Sequence, residues 1–255
     1  MTADGGDEST ADRPVALVTG ASRGIGAATA HRLADDGFDV VLAARSRDDL
    51  DAVAGEVADD HGVTVHAVPT DVTDAEAVAA LVDATLERFG RLDAAVVNAG
   101  TGERRNVPLS EMPLEEYRRV RATNVDGAFY TTRAVLDPLR ETGGTLVFVG
   151  SYKGKYPSTS TPVYAATKWW LRGFAKSVAG RVGPDGVAVS VVNPTGVPTD
   201  FGRDVRERSN ADRLDSGDVL STDDVADAVA TAVAQDAPGA VAELDLFRRD
   251  IYERF

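Results

Sequence analysis

Six short runs rich in valine and alanine recur along the chain, with helix-patterned stretches between them. They are PVALVT (14–19), FDVVLAA (38–44), VTVHAVP (63–69), LDAAVVN (92–98), GTLVFVG (144–150) and GVAVSVVN (186–193). Runs this short and this continuously apolar predict strands covered on both faces. A seventh, AVAELDLF (240–247), follows the helical pattern DDVADAVATAVA (223–234). Ser46 to Asp49, Thr73 to Glu76 and Ser221 to Asp224 have the spacing of helix-capping pairs and place helix starts between the strands. The alternation predicts an α/β fold: a mostly parallel, seven-stranded sheet, wound in both directions, with helices on both faces and right-handed crossovers.

No Pro/Gly/Ser-rich linker interrupts this pattern, so residues 13–255 are expected to form a single domain. The polar, acidic start MTADGGDESTAD (1–12) is expected to be a disordered leader. It lacks the basic-then-apolar order of a signal peptide, and no apolar run approaches the ~20 residues of a membrane span. A cytoplasmic protein with no membrane partner is the expectation. The polar stretch around 200–221, with Arg203, Arg206, Arg208 and Arg213 among acids, reads equally as a mobile substrate-side loop or a short solvated helix.

Cysteine is absent, which removes disulfides, thiol nucleophiles and cysteine metal sites. His31, His61 and His66 show no ligand spacing, so no metal site is expected. A net charge of −14 would repel nucleic acid. The 41 acids comprise 29 Asp and 12 Glu, and the 27 bases comprise 23 Arg and only four Lys. This balance resembles that of proteins from salt-loving microbes, where a Debye length of ~3 Å near 1 M salt screens self-repulsion. Of the four lysines, Lys153, Lys155 and Lys168 fall inside SYKGKYPSTSTPVYAATK (151–168); only Lys176 lies outside it.

TGASRGIG (19–26) directly follows the first predicted strand and opens a helix pattern. Glycines at Gly20, Gly24 and Gly26 let the backbone turn tightly and approach a pyrophosphate, which the helix amino terminus then attracts. The strand–turn–helix context strengthens the motif. Its spacing resembles that of the short-chain dehydrogenase/reductase family, and the resemblance extends over nearly the whole chain after about Arg13. Asn98-Ala99-Gly100 matches the family's NAG after the fourth strand, with Val97 where a second Asn is common. Asn124, Ser151, Tyr164 and Lys168 fall where the family keeps its catalytic Asn, Ser, Tyr and Lys. The resemblance implies a Rossmann-type fold and a nicotinamide dinucleotide cofactor. It also implies contacts to that cofactor from Gly20, Ser22, Arg23, Gly24, Ile25, Gly26, Asn98, Ala99 and Gly100, with Asp71 and Val72 bracketing the adenine.

NAD-using members usually place an acid at the end of the second strand, where it binds the ribose 2′-OH. Here Ala44 stands at that position, followed by Arg45 and Ser46. A guanidinium pairs with a 2′-phosphate through two parallel hydrogen bonds, and Arg23 in the glycine turn can reach the same group. NADP(H) is therefore expected in preference to NAD(H).

Tyr164 and Lys168 are four apart on a predicted helix and share a face. A free tyrosine, with a pKa of ~10, is a poor proton shuttle at neutral pH, and an adjacent ammonium is expected to lower it. By resemblance, Lys168 also binds the nicotinamide ribose, Ser151 holds the substrate oxygen and Asn124 fixes a water for proton relay. Tyr164 would then be the general acid/base of hydride transfer to a carbonyl. NPTGVPTD (193–200) resembles the segment that contacts the carboxamide, through Pro194, Val197 and Thr199, with Thr195 where Gly is usual. The ending AELDLFRR (242–249) resembles that of carbonyl and hydroxy-acid reductases of the family. Trp169 and Trp170 suit either packing against the neighbouring helix within one subunit or a subunit contact; family resemblance implies a dimer or tetramer.

The leading expectation is thus an oxidoreductase interconverting a small secondary alcohol and a ketone or aldehyde, with a 3-oxoacyl-thioester reductase as its variant. A dinucleotide-sensing regulator without turnover usually lacks the tyrosine or the lysine. A sugar-nucleotide epimerase or dehydratase usually has other glycine spacing and a longer chain.

Overall fold

In the computed structural model, residues 13–212, 214 and 219–249 are described. The expected leader, Arg213 and the chain after 249 lie outside them. Seven strands form one sheet in the order β3-β2-β1-β4-β5-β6-β7, every neighbouring pair parallel. They are β1 (Val15–Thr19), β2 (Asp39–Ala44), β3 (Val65–Pro69), β4 (Ala94–Val97), β5 (Thr145–Val149), β6 (Ala188–Pro194) and β7 (Glu243–Leu246). All seven lie within the runs read from the sequence, except that β6 extends one residue further, to Pro194. β1 and β4 are neighbours although β2 and β3 intervene in the chain, so the winding direction reverses between them. In open α/β sheets that reversal leaves a crevice at the carboxyl ends of the strands.

Helices α1 (Gly24–Asp35), α2 (Arg47–His61) and α7 (Thr222–Val233) cover one face. Helices α3 (Ala75–Phe89), α5 (Gly127–Thr142) and α6 (Pro162–Val182) cover the other. α4 (Leu114–Arg121) passes through a single π-helical turn, Ala122–Asp126, into α5. β1, β2, β4 and β5 are buried almost throughout, as near-continuous apolar runs require; edge strands β3 and β7 are only partly covered.

The helix starts follow capping chemistry. Ser46 accepts Asp49 N–H at the start of α2, and Ser221 and Asp224 form a reciprocal capping box on α7. The pair expected at Thr73 is displaced by one residue. Asp74 accepts the N–H groups of Glu76 and Ala77, because the Thr73 hydroxyl is already donated to Asp71. The stretch 201–212 forms turns with no helix.

Candidate active site

The crevice is a cleft of about 1080 Å³ at the carboxyl ends of the strands. Gly20 and Gly24 have φ of +68° and +59°, in the left-handed region. A Cβ on Gly26 would lie 2.2 Å from the Gly20 carbonyl oxygen, so only glycine lets α1 start against this turn. No side chain caps the first turn of α1 and no acid lies in it, which leaves its amino end open to an anion. Asn98 braces the turn: its side-chain amide donates to the carbonyls of Thr19 and Gly20 at 2.8 and 3.2 Å. Thr19 is a partner that motif reading missed; its hydroxyl accepts the N–H groups of Asn98 and Ala99. This cradle fits the pyrophosphate of a dinucleotide.

All of the residues expected to bind cofactor line this one cleft: Gly20, Ser22, Arg23, Gly24, Ile25, Gly26, Arg45, Ser46, Asp71, Val72, Asn98, Ala99, Gly100, Pro194, Val197 and Thr199, with Tyr164 and Lys168. Asp71 is exposed there and closes a turn by accepting the Thr73 N–H. The two arginines differ. Arg45 has no partner among the described residues, whereas Arg23 leans across the cleft to Asp204 at 3.8 Å. Thr195 causes no distortion: it is buried, and its N–H donates to Leu246 O as a continuation of the β6–β7 ladder.

Ser151, Tyr164 and Lys168 also line the cleft. The Ser151 hydroxyl acts on the Tyr164 phenol and favours its ionised form. Lys168 Nζ lies 5.8 Å from the centre of the Tyr164 ring and donates to Val149 O at 2.8 Å. The expected lowering of the tyrosine does not occur in this arrangement. Burial pushes the phenol up to about 12, against the opposing effects of Ser151 and the charge of Arg206. Burial also brings the Lys168 ammonium down to about 8. Both shifts have the same cause, the cost of charge away from water.

Asn124 sits in the π-helical turn and is buried. Its oxygen accepts Thr101 N–H, and its amide donates to Thr101 O and Thr167 Oγ1. The side chain thus clamps the loop after β4 onto α6. Two further groups escaped motif reading because their partners are remote in sequence. Glu103, fully buried, accepts the N–H groups of Val163 and Tyr164. Arg206 donates to Glu103 O and lies over the Phe201 ring at 5.4 Å, with Phe201 in turn 5.5 Å from Tyr164.

The lysines gain separate roles. Lys155 and Lys176 both pair with Glu243 on β7, at 3.0 and 2.9 Å. Lys153 turns into the cleft and is buried. Trp170 stacks on Phe174 with ring centres 4.7 Å apart, whereas Trp169 is exposed. The histidine spacing misled: α1 and α2 bring His31 Nδ1 to within 3.3 Å of His61 Nε2, with Asp60 beside them, although none of these lines the cleft.

Residues 14–210 match the short chain dehydrogenase family. The chain is 39% identical over 189 residues to a 3-oxoacyl-[acyl-carrier-protein] reductase of Synechocystis sp., which covers 73% of this chain and 75% of that protein. It is 32% identical over 240 residues to the D-threitol dehydrogenase of Mycolicibacterium smegmatis, covering 92% and 91% of the two chains. An alcohol dehydrogenase from the archaeon Thermococcus sibiricus, solved with 5-hydroxy-NADP, superposes with a TM-score of 0.83 at 34% identity. That alignment covers 92% of this chain and 96% of the other. With the parallel sheet, the glycine turn and the Tyr164–Lys168 pair all in register, the chain belongs to the short chain dehydrogenase family of oxidoreductases.

Proposed function

We propose that this protein is an NADP(H)-dependent oxidoreductase that interconverts a secondary alcohol and a ketone or aldehyde, with Tyr164 as general acid/base. The observation that carries the reading is the Tyr164 phenol, flanked by Lys168, in the same cleft as Ser151 and the glycine turn. A nicotinamide dinucleotide bound along that turn supplies or accepts the hydride.

In the reducing direction, Ser151 and Tyr164 bind the carbonyl oxygen. Tyr164 then gives its proton to that oxygen as the carbonyl carbon takes the hydride, leaving an alcohol and a phenolate. A phenol held at about 12 is protonated at neutral pH, which is the form reduction requires. Lys168 is still largely an ammonium at pH 7 and favours the phenolate that forms. Oxidation is the reverse: phenolate removes the hydroxyl proton while hydride leaves carbon.

The preference for NADP(H) rests on Arg45, exposed at the cleft beyond Ala44, with Arg23 secondary because Asp204 engages it. Asp49 also lines this end and opposes a phosphate, so the preference is a balance of charges. The identity to a 3-oxoacyl-[acyl-carrier-protein] reductase favours 3-oxoacyl thioesters as a second substrate class. The exposed Tyr117, Phe129 and Trp169 on α4, α5 and α6 support assembly into a dimer or tetramer.

The test is NADPH oxidation with a panel of ketones and a 3-oxoacyl thioester, in dilute buffer and in molar KCl, for wild type and Tyr164→Phe. Wild-type turnover that falls at least about a thousandfold in the variant is expected. Tight NADPH binding without any turnover would instead favour a dinucleotide-binding regulator.

A further inference from the structure

Two of the chain's three histidines meet although 30 positions separate them in sequence. His31 lies in the next-to-last turn of α1, and His61 ends α2. His31 Nδ1 faces His61 Nε2 at 3.3 Å, and Asp60 Oδ2 lies 3.8 Å from the same Nδ1. The ligand atoms of His31, Asp60 and His61 all lie within 4.8 Å of one another, the one such group of metal-ligating side chains among the described residues. Cysteine is absent, so imidazole is the softest ligand this chain can offer a transition metal, apart from its two methionines.

The spacing of the two nitrogens is that of ligands sharing one ion. With metal–nitrogen bonds of about 2.0–2.1 Å, two corners of a tetrahedral site stand roughly 3.3–3.4 Å apart. A proton now joins the rings, donated by one nitrogen and accepted by the other; a cation in its place uses both lone pairs. Asp35 Oδ1 stands 3.7 Å from His61 Nδ1, the far nitrogen of that ring. A carboxylate on that side keeps the proton on Nδ1 and leaves the Nε2 lone pair to a metal, as outer carboxylates do for ligating histidines. Asp60 is exposed and both histidines are partly so, which leaves their side chains room to turn towards a common ion.

The surroundings favour a cation. His31, Asp35 and His61 line a surface depression of about 330 Å³, which α7 borders with Asp223 and Asp227. Arg32, the basic side chain of that depression, is engaged by Asp36 and Asp227. Asp60 and His61 occupy the last turn of α2, whose carbonyls carry negative partial charge. The net charge of −14 adds a longer-range attraction for cations.

We propose that His31, Asp60 and His61 form a binding site for a divalent transition metal of the zinc type, with water completing the coordination, and that the ion staples α1 to α2. Two imidazoles and a carboxylate suit Zn²⁺, Ni²⁺ or Cu²⁺, whereas Mg²⁺ and Ca²⁺ require oxygen ligands. None of the three residues lines the cleft, so the ion stands apart from the reaction, and the proposal is independent of the oxidoreductase reading. The ion ties together, near their carboxyl ends, the helix that starts at the glycine turn and the helix that follows Arg45.

The experiment uses the chain without a histidine tag, stripped of metal by a chelator and titrated with ZnCl₂ by calorimetry. One ion per chain is expected, with a Kd in the micromolar range. Free Zn²⁺ at a hundred times that Kd is expected to raise Tm by about 5 °C, because the unfolded chain does not hold the three ligands together. His31→Gln and His61→Gln are each expected to weaken binding at least about tenfold and to lose the rise, and Asp60→Asn to weaken it less. His66→Gln removes the remaining histidine, on β3, and is expected to bind as wild type does. Should a histidine variant melt well below wild type without metal, Co²⁺ on the wild-type chain decides the matter: the visible absorption of a four- or five-coordinate site supports the proposal, and its absence overturns it. No binding tighter than millimolar, or binding unchanged in both histidine variants, would also overturn it. So would equal stabilisation by MgCl₂, the mark of diffuse attraction to an acidic surface.

Discussion

Glu103 Oε2 accepts the main-chain N–H of Tyr164 at 2.8 Å, across 61 residues of chain. Its other oxygen accepts Val163 N–H at 3.1 Å, and no side chain of the preceding segment caps α6. A buried carboxylate from the loop after β4 therefore caps the helix that carries the proposed acid/base. Burial raises the pKa of Glu103, against the two N–H groups that favour its charge.

Glu103 is accordingly a positioning residue. Glu103→Gln keeps one acceptor and loses the charge; Glu103→Ala loses both. We expect stability to fall by roughly 1–3 kcal/mol, more for Ala than for Gln. We also expect kcat to fall about tenfold, with KM less affected, because Tyr164 is displaced and not removed. A lower thermal midpoint with unchanged kcat would reduce Glu103 to a purely structural cap.

Lys168 is buried with its pKa brought down to about 8, so folding at neutral pH works against its charge. The folded value lies below the unfolded one. The unfolded chain therefore binds more protons between pH 8 and about 10.5, and stability from this group rises with pH across that window. Lys168→Met is expected to abolish turnover yet to melt a few degrees higher than wild type at pH 7, an exchange of activity for stability. The gap should narrow as pH approaches 10. A variant that melts lower than wild type at pH 7 would show that the bond to Val149 O outweighs desolvation.

In the proposed function, Arg45 carries the cofactor preference. Arg45→Asp should lower kcat/KM for NADPH relative to NADH by a factor of about 100, since a bidentate partner is replaced by a repelling charge. Arg23→Gln should shift the ratio less, because Arg23 already pairs with Asp204. An unchanged ratio in the first variant removes Arg45 from the cofactor site.

Glu243 is the hub of the β7 edge, bonded to Arg172, Lys176 and Lys155. Burial would raise its pKa, but these three cations bring it down to about 2. A depressed carboxylate contributes stability that is complete above the unfolded value near 4.5 and is lost as pH falls through 2. Glu243→Gln should cost about 1–2 kcal/mol at pH 7, the cations being partly exposed, and should flatten acid unfolding across that window. Molar KCl should reduce the difference only in part, since Glu243 itself is largely covered. Identical acid melts for the two proteins would contradict the network.

How much could be read in advance follows from distance along the chain. All seven strands came from hydrophobic patterning and their parallel arrangement from the alternation with helices, whereas their order in the sheet is a product of the fold. The glycine turn, Ser151 and the Tyr164–Lys168 pair came from short spacings on elements whose geometry is known. The cap at Thr73 was misplaced by one residue, because Asp71, Thr73 and Asp74 are all able to accept or donate there and only their packing chooses.

Glu103, Arg206 and the His31–His61 contact were invisible for a different reason. Their partners lie 61, 103 and 30 residues away, and no local pattern marks a side chain that will meet a remote backbone. The protonation of the pair is of the same kind. Four-residue spacing brings Tyr164 and Lys168 to one face of a helix, and this alone suggested a lowered phenol. Only the fold determined how much protein surrounds them and that Lys168 turns to Val149 O, so that desolvation overrides attraction. The sequence by itself determined which elements form and which side chains share a short segment, because those are local matters of steric fit and periodicity. The tertiary structure alone decided which remote charges meet in the cleft and what burial does to them, because the free energy of a charge depends on everything packed around it.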